Sequence, residues 1–465
     1  MNALANTGVP PKFARMQALI NTARVNAQVT ESAFRVYLLY VMSYFLHIPE
    51  RLPSALASLR PDLLIAITIF ALLFTQKDKL NGRATNTTLK VLIAFTIYIV
   101  VTFFLVEWPG SVVNNLPKYV KSLVFVFFSA LILDSIPRIK TFVFVYLACQ
   151  TVRVIEPLIL NVTTGYWGSK TWLGTEYMAR LSGAPADHVN PNGLALVIIT
   201  IWPFLHFLLG SHRRFSFRLL YWLLAPMLLY TLILTASRSG FIAFCVVALG
   251  IFLKSNKKPV LLVVGALMAV VAVNNMTQEQ KERYLSITQD DVRGAETSQG
   301  RIDGMAHDFE VAMIRPVVGH GIGTSLEAIF HARGRAQVSH TIYTEVIIET
   351  GLIGLIFFVT FLVSIYRNLQ AAHTYLKTYL SGQTGNALYF RRWLFSMQVC
   401  FWSYLVFSVA YFGLTAYYWY VLAGMAVLAL RFLTLLDKSP APVAPLQDKT
   451  VHVLNRPDAY AGMAP

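Results

Sequence analysis

Twelve strongly apolar segments are the feature of this sequence that most limits its fold. A helix that crosses the hydrocarbon core of a membrane needs about 20 mostly apolar residues. Apolar residues make up 56% of the 465 residues and charged residues only 13%, which excludes a soluble globular protein of this length. We therefore predict an all-α polytopic membrane protein with about 12 transmembrane helices. The predicted helices lie at residues 34–48, 61–75, 89–107, 119–135, 141–160, 191–209, 218–235, 239–253, 259–274, 342–366, 393–412 and 416–433.

The positive charge of the chain predicts its orientation. The formal net charge is +16, and most lysines and arginines lie in short loops such as 77–90, 213–218 and 254–258. Because they form neither a patch nor a tail, we expect no nucleic-acid partner. Loops of this kind face the cytoplasm. We recognise no cleavable signal sequence in the first thirty residues, and we therefore expect the first helix to insert directly, as in inner-membrane proteins generally.

Both termini are then cytoplasmic, and three regions are predicted. Residues 1–33 form a cytoplasmic N-terminal segment, and residues 34–433 form the transmembrane domain. Residues 434–465, which are rich in proline, form a disordered tail.

The opposite face of the membrane receives the chemically interesting loops. Residues 161–190, the link 237–240 and the large loop 275–340, which we expect to be helical, all open to that side. Arg238 lies between two apolar segments, where an arginine is costly unless it has a partner or an aqueous cavity. It is either an arginine extended towards the membrane surface or part of an anion site, since a guanidinium group suits phosphate oxygens. Arg180 and Arg301 can reach the same face.

Two loop motifs on this face have both a structural and a functional interpretation. Asn190 and Pro191 are a typical helix start, and Arg180 and His188 precede it. A helix with apolar residues at helical spacing is predicted from Arg301 to Arg315, where Pro316 stops it. The GHGIG sequence that follows resembles a phosphate-binding loop, but a tight turn into a helix is the favoured interpretation.

His340 is the best candidate for catalysis. It lies where the large loop returns to the membrane, and an imidazole is the usual general base for a hydroxyl group. Glu345 and Glu349 follow in the next helix, where they either orient the imidazole or an arginine, or form a structural ion pair with an arginine. The Asp290–Asp291 pair is too isolated for a metal site, and the three cysteines lie in apolar segments, so we expect no metal and no other cofactor.

The order of these motifs resembles the O-antigen ligase and polymerase superfamily of bacterial envelopes over residues 60–430. The resemblance rests on NPNGLA, SRSG, the helix that begins at Arg301 with its glycine-rich turn, and SHTIYTEVIIETGLIG. Members commonly have a His-Asn pair followed by Tyr, two Glu residues and Gly-Leu-Gly. Thr341 replaces the usual Asn, and the matching residues are His340, Tyr343, Glu345, Glu349, Gly351 and Gly354.

The resemblance implies a GT-C-like glycosyltransferase, embedded among membrane lipids, with its active site at the periplasmic face. Such an enzyme takes a glycan from undecaprenyl diphosphate and transfers it to a hydroxyl group, without a metal ion and with inversion. His340 would be the general base, and Arg180, Arg238 and Arg301 would bind the diphosphate. Supporting roles are implied for His188, Arg315, Glu345 and Glu349.

Loop lengths favour a ligase, whose acceptor is the lipid A core. Ligases usually have one dominant outer loop, which residues 275–340 fit, whereas polymerases often have two comparable ones. A polymerase that elongates repeat units linked to undecaprenyl diphosphate is the alternative. A transporter of lipid-linked glycans is less favoured, because its polar residues would lie near the midplane and be accessible from both sides.

Overall fold

The computed structural model describes residues 27–172, 176–274, 276–289, 296–334, 337, 339, 341–379, 385–411 and 413–437. This part of the chain is mostly helical, with one small two-stranded sheet. Nine helical stretches within it are long and apolar enough to cross a membrane. The prediction of an all-α polytopic membrane protein is therefore confirmed.

The helices of the first half of the chain include two single turns between the first and second predicted membrane segments. They are α1 (Glu31–Leu46), α2 (Ile48–Arg51), α3 (Ser54–Ala57), α4 (Pro61–Phe74), α5 (Thr87–Thr102), α6 (Pro109–Ile132), α7 (Ile136–Thr164), α8 (Pro191–Phe204) and α9 (Phe215–Thr235). Strands β1 (Gly168–Trp172) and β2 (Tyr177–Leu181) separate α7 from α8, and a π-helix, Leu205–Gly210, extends α8.

The second half contains the helices of the large loop and the last three membrane segments. They are α10 (Arg238–Lys254), α11 (Lys258–Asn274), α12 (Gln278–Leu285), α13 (Glu296–Ala312), α14 (Ser325–Arg333), α15 (Ile342–Tyr379), α16 (Gly385–Phe407) and α17 (Tyr417–Asp437). The large loop is thus helical as predicted, with α12, α13 and α14 in it.

Each of the twelve predicted segments coincides with a helix. Three of these helices are not among the nine stretches, which have 19 residues or more: α1 has 16 residues, and α10 and α11 have 17 each. The last helix continues to Asp437, past the predicted boundary at 433, and residues 1–26 and 438–465 of the predicted termini lie outside the described residues.

Two side-chain caps explain where α8 and α10 begin. The Asn190 side chain accepts the backbone N–H of Gly193 at 2.8 Å, with Pro191 in the first turn. Ser237 accepts the N–H of Gly240 at 3.2 Å. The predicted start at Asn190 is therefore present, and the SRSG motif is also a helix start.

A break at Gly351 divides α15 and receives the glycine-rich loop. Gly351 has φ 65° and ψ −171°, outside the helical region. The N–H of His320 donates to Ile348 O at 2.8 Å, and the N–H of Leu352 donates to Pro316 O at 2.7 Å. The GHGIG sequence is thus a turn that packs against α15 and leads into α14, as the favoured interpretation expected.

The β-hairpin between α7 and α8 was not predicted. Its strands pair antiparallel, with Gly168 opposite Leu181 and Trp172 opposite Tyr177. The rings of Trp172 and Tyr177 lie 4.9 Å apart, and such cross-strand aromatic pairs stabilise hairpins. The hairpin places Arg180 on β2, next to the end of α9.

Candidate active site

The turn between α9 and α10 is the centre of the candidate site. Thr235, Ala236 and Ser237 are completely buried, and Ala236 adopts the left-handed conformation with φ 45°, which is uncommon for a residue other than glycine. Arginines from three separate segments surround this turn. We call the group formed by residues 235–238, Arg180, Asn192, Arg283 and Ser286 the arginine turn.

Arg180 joins the hairpin to the arginine turn. Its Nε donates to Thr235 O at 2.8 Å, and its Nη2 donates to Asn192 Oδ1 at 2.9 Å. The same Asn192 oxygen accepts the hydroxyl of Ser237 at 2.9 Å. These bonds fix β2, the start of α8 and the turn relative to one another.

Arg238 is the first residue of α10, and only 7% of it is exposed. Its Nη1 donates to Ser286 Oγ at 2.8 Å, and Ser286 Oγ donates to Arg283 O at 2.8 Å. The side chain is therefore directed into the protein, towards the segment after α12. Arg238 therefore does not extend towards the membrane surface, which was one of the two interpretations of its position.

Arg283 is a member of the arginine turn that the sequence analysis missed. It lies on α12, is buried, and donates from Nε to Ala236 O at 2.8 Å. Burial raises the pKa of the neighbouring Tyr284 phenol, and the positive charges of Arg180 and Arg283 oppose this effect. The guanidinium groups of Arg180 and Arg283 thus both lower the pKa of the same phenol.

Four other predicted residues are less central or less defined. Arg301 lies on α13, but its side chain lies outside the described residues, as does the whole of His340. His188 is exposed. Arg315 donates from Nη2 to the carbonyl of Leu105, which ties the large loop to the turn after α5.

The chain on both sides of position 340 is held by hydrogen bonds. Asp308 on α13 is buried, and its Oδ2 accepts the hydroxyls of Ser339 at 2.7 Å and Thr344 at 3.0 Å. Thr341 Oγ1 donates to Ser408 O at 3.1 Å. The sequence analysis missed Asp308, because nothing in its local pattern distinguishes it from a solvated acid on a loop helix.

The two glutamates at the start of α15 bind backbone N–H groups. Glu345 Oε2 accepts from Gly413 at 2.6 Å and from Leu414 at 2.9 Å. Glu349 accepts from Gly323 at 2.8 Å and Ser325 at 3.4 Å, and both carboxyl groups are buried. Among the residues that the structure describes, neither carboxyl group forms an ion pair with an arginine, and the side chain of Arg301 lies outside those residues.

Tyr411 connects the start of α15 to the arginine turn. Its carbonyl accepts the N–H of Ile342 at 3.0 Å, and its hydroxyl interacts with the side chain of Asn190. A Cβ atom at Gly193 would lie 3.0 Å from that hydroxyl. The first residue of α15 and the arginine turn are therefore both linked to the N-terminal end of α8.

An apolar cavity of about 760 Å³ runs between α9, α10 and α11. Phe241 and Tyr284 line it next to the arginine turn, and their rings lie 5.2 Å apart. Trp202, His206 and Tyr221 line it near the other end of α9. The cavity can accept a long apolar chain whose polar end lies at the arginine turn.

Across the residues that the structure describes, no three His, Cys, Asp or Glu side chains come together as metal ligands would. The positive charge near the cavity comes from guanidinium groups.

The fold and the site define a multi-pass membrane protein with a buried arginine cluster beside an apolar cavity. Residues 196–359 match the family model described as O-antigen ligase, and the resemblance to the O-antigen ligase and polymerase superfamily is confirmed over this segment. The match contains Arg238, Arg283 and position 340, whereas Arg180 precedes it. No curated protein matches the chain.

Proposed function

We propose that the protein is an O-antigen ligase at the periplasmic face of a bacterial inner membrane. It transfers a glycan from undecaprenyl diphosphate to a sugar hydroxyl of the lipid A core, which completes lipopolysaccharide. The observation that carries this proposal is the arginine turn, where Arg180, Arg238 and Arg283 meet. Guanidinium groups match the oxygens of a diphosphate, and the family match supports the same reaction class.

The apolar cavity supports a donor with a lipid tail. It adjoins the arginine turn through Tyr284, the residue that follows Arg283. A polyprenyl diphosphate has its two phosphates directly attached to the apolar chain, so one molecule can fill the cavity and reach the arginines. A soluble nucleotide-sugar donor would leave the cavity unused.

The proposed reaction is a single displacement. His340 accepts the proton of the acceptor hydroxyl, and the oxygen attacks the anomeric carbon of the glycan. The bond from that carbon to the diphosphate oxygen breaks, and its electron pair leaves with the diphosphate. Attack from the opposite face inverts the anomeric centre. Arg180, Arg238, Arg283 and Arg301 stabilise the charge that develops on the leaving group, so no metal ion or other cofactor is required.

The surroundings of position 340 support a positioned base. Asp308 holds Ser339 and Thr344, and Ser408 holds Thr341, so the chain is fixed on both sides of His340. Tyr411 links this segment to the end of α8 that also carries Asn192. A general base must lie within hydrogen-bond reach of its substrate, and fixed neighbours reduce the entropic cost of that geometry.

A polymerase remains the second candidate, because the shorter outer loop also contributes to the site. The hairpin in residues 161–190 supplies Arg180 to the arginine turn. A polymerase would use the same donor and the same displacement, with the growing glycan as acceptor.

The test is an assay with purified protein, a glycan linked to undecaprenyl diphosphate, lipid A core and EDTA. We compare the wild type with His340→Ala and Arg238→Ala. Arg333→Ala is the matched control, because Arg333 belongs to the same large loop but forms an exposed ion pair with Glu310 at 2.7 Å. Transfer to the core that persists in the control and is lost in both other variants supports the ligase.

Two other results would reassign the protein. Elongation of the donor without modification of the core would identify a polymerase. Movement of the lipid-linked glycan across vesicles, without transfer to either acceptor, would identify a transporter and remove the catalytic role of His340.

A further inference from the structure

A second concentration of positive charge lies far from the arginine turn. The start of α7, the loop after the π-helix and the start of α16 enclose a pocket of about 430 Å³. We call it the basic pocket. Its basic residues are Lys140, His212, Arg213, Arg214 and Arg392.

The basic pocket and the arginine turn lie at opposite ends of α9. Arg214 immediately precedes this helix, and Thr235 is its last residue. A helix of 21 residues is about 31 Å long at ~1.5 Å per residue. The basic pocket is therefore separate from the candidate active site.

The basic groups of the pocket lack acidic partners in the part of the chain that the structure describes. Lys140 donates to the amide oxygen of Asn386 at 2.7 Å and lies 4.9 Å from the ring centre of Tyr389. Arg213, Arg214 and Arg392 form no ion pair among the described residues. Arg138, near the same end of α7, differs, since it pairs with Asp134 at 3.0 Å and Glu31 at 2.9 Å.

The pKa of His212 reflects the positive charge of this pocket. Its Nδ1 accepts the backbone N–H of Arg214 at 3.1 Å. Burial lowers the pKa of His212, and the positive charges of Arg392 and Arg214 lower it further. Gathering like charges in one concave site costs free energy, and an anion bound there would offset that cost.

The surface next to the pocket is apolar and faces outward. Phe215 follows Arg214 directly and is 68% exposed, and Leu219, Leu220 and Leu223 on α9 are also exposed. Such a surface suits acyl chains. Basic pockets between helices at the membrane boundary are known to hold the head groups of anionic lipids.

We propose that the basic pocket binds the phosphate of an anionic phospholipid, whose acyl chains lie along the exposed apolar face of α9. Arg213, Arg214 and Arg392 contact the phosphate oxygens, and Lys140 and His212 complete the positive site. This site is distinct from the donor site and does not depend on the proposed transfer reaction.

The simplest rival explanation is that these residues only set membrane topology. Topological charge requires no pocket and no preference among anions. Lys90, Lys257 and Lys258 provide the matched comparison, because they are exposed and lie outside the pocket. The triple variant Lys90→Gln, Lys257→Gln, Lys258→Gln removes the same charge as Arg213→Gln, Arg214→Gln, Arg392→Gln.

The experiment is native mass spectrometry of the delipidated full-length protein in detergent. It is titrated with phosphatidylglycerol, phosphatidylcholine or inorganic phosphate. We expect wild type and the lysine control to retain phosphatidylglycerol in preference to phosphatidylcholine. We expect the arginine triple variant to bind phosphatidylglycerol at least about tenfold more weakly, because three of the basic groups that attract the phosphate are removed.

Three results would overturn the proposal. Equal binding of both lipids by the wild type would show that the charge is not recognised. Equal weakening in both triple variants would show a topological role only. Inorganic phosphate that binds the wild type and displaces the lipid at similar concentrations would identify a site for soluble anions. Thermal unfolding checks that the variants fold. If the arginine triple variant does not fold, the single substitution Arg213→Gln at an exposed residue replaces it, and we expect a partial loss of phosphatidylglycerol binding.

Discussion

The two halves of the candidate active site contain opposite types of ionisable side chain and use them differently. In the arginine turn, the described bonds of Arg180, Arg238 and Arg283 go to carbonyl, hydroxyl and amide oxygens. At the start of α15, Glu345 and Glu349 accept backbone N–H groups of neighbouring loops. These bonds fix the guanidinium groups in place, whereas each carboxyl group connects a loop to a helix.

This difference indicates that the arginines take part in the reaction and that the glutamates stabilise the fold. Positive charge that is fixed before the substrate arrives can stabilise a leaving diphosphate, because the groups need not reorganise during the reaction. A buried carboxyl group that accepts two backbone N–H bonds satisfies donors that would otherwise be costly. We therefore expect substitution of an arginine by a residue that keeps a donor to reduce transfer more than stability, and substitutions of the glutamates to do the reverse.

The largest effect is expected at Arg283. Arg283→Gln should lower kcat by about 10²–10³-fold, the usual loss when one preorganised donor to a developing negative charge is removed. Transfer at saturating donor is measured, together with the unfolding temperature. Lys281→Gln on the same helix is the control. A normal kcat with a large loss of stability would show that Arg283 stabilises the fold, as the glutamates do, and would contradict the proposed difference between the two halves of the site.

The next largest effect is expected for substitution of Glu349. Glu349→Ala leaves the N–H groups of Gly323 and Ser325 without their acceptor in a buried region. Unsatisfied buried donors cost about 1–3 kcal/mol each, so we expect a loss of roughly 2–4 kcal/mol in the free energy of unfolding. Unfolding in detergent is measured by tryptophan fluorescence. If kcat fell a hundredfold while unfolding was unaffected, Glu349 would belong to the chemistry.

Sequence reasoning succeeded where local pattern determines structure. Apolar segments predicted the helices, and the helix starts at Asn190 and Ser237 follow from residues within one turn. Arg180 and Arg238 were predicted to share one face, and the structure joins them through Asn192 and Ser237.

It failed where a polar residue is buried by distant segments. Arg283 lies in the polar stretch QEQKERYL, which has the composition of a solvated helix, yet it contacts a turn 47 positions away in the sequence. Asp308 is likewise buried only because residues 339–344 pack on α13. The hairpin also escaped prediction, because its five-residue strands depend on pairing with each other.

A substitution at Gly351 tests the stabilising role of the start of α15 without removing an ionisable group. A Cβ atom there would lie 2.3 Å from Val317 O, and φ 65° is strained for any other residue. Gly351→Ala should destabilise the protein by about 1–3 kcal/mol. Gly265→Ala on α11 is the matched control, since a Cβ atom meets nothing within 4 Å there and alanine favours helices. Equal unfolding temperatures for the two variants would contradict the steric role of the loop against α15.

The smallest effect is expected at Glu345, and it gives the sharpest distinction between the two roles. Both backbone donors, from Gly413 and Leu414, bind the same oxygen, Oε2. In Glu345→Gln the amide oxygen can occupy that position and keep both bonds, so only the charge is lost. A supporting role therefore predicts a loss of about 1 kcal/mol in stability and a kcat within about threefold of the wild type. An orienting role towards His340 requires the negative charge, because it stabilises the imidazolium that forms as the acceptor loses its proton. In that case kcat would fall by orders of magnitude with unfolding unchanged. The acidic limb of its pH dependence would also shift to lower pH, because a neighbouring negative charge favours the imidazolium and its loss disfavours it. Parallel measurement of kcat across pH and of the unfolding temperature thus decides whether the carboxyl groups at the start of α15 belong to the reaction or only to the framework that positions it.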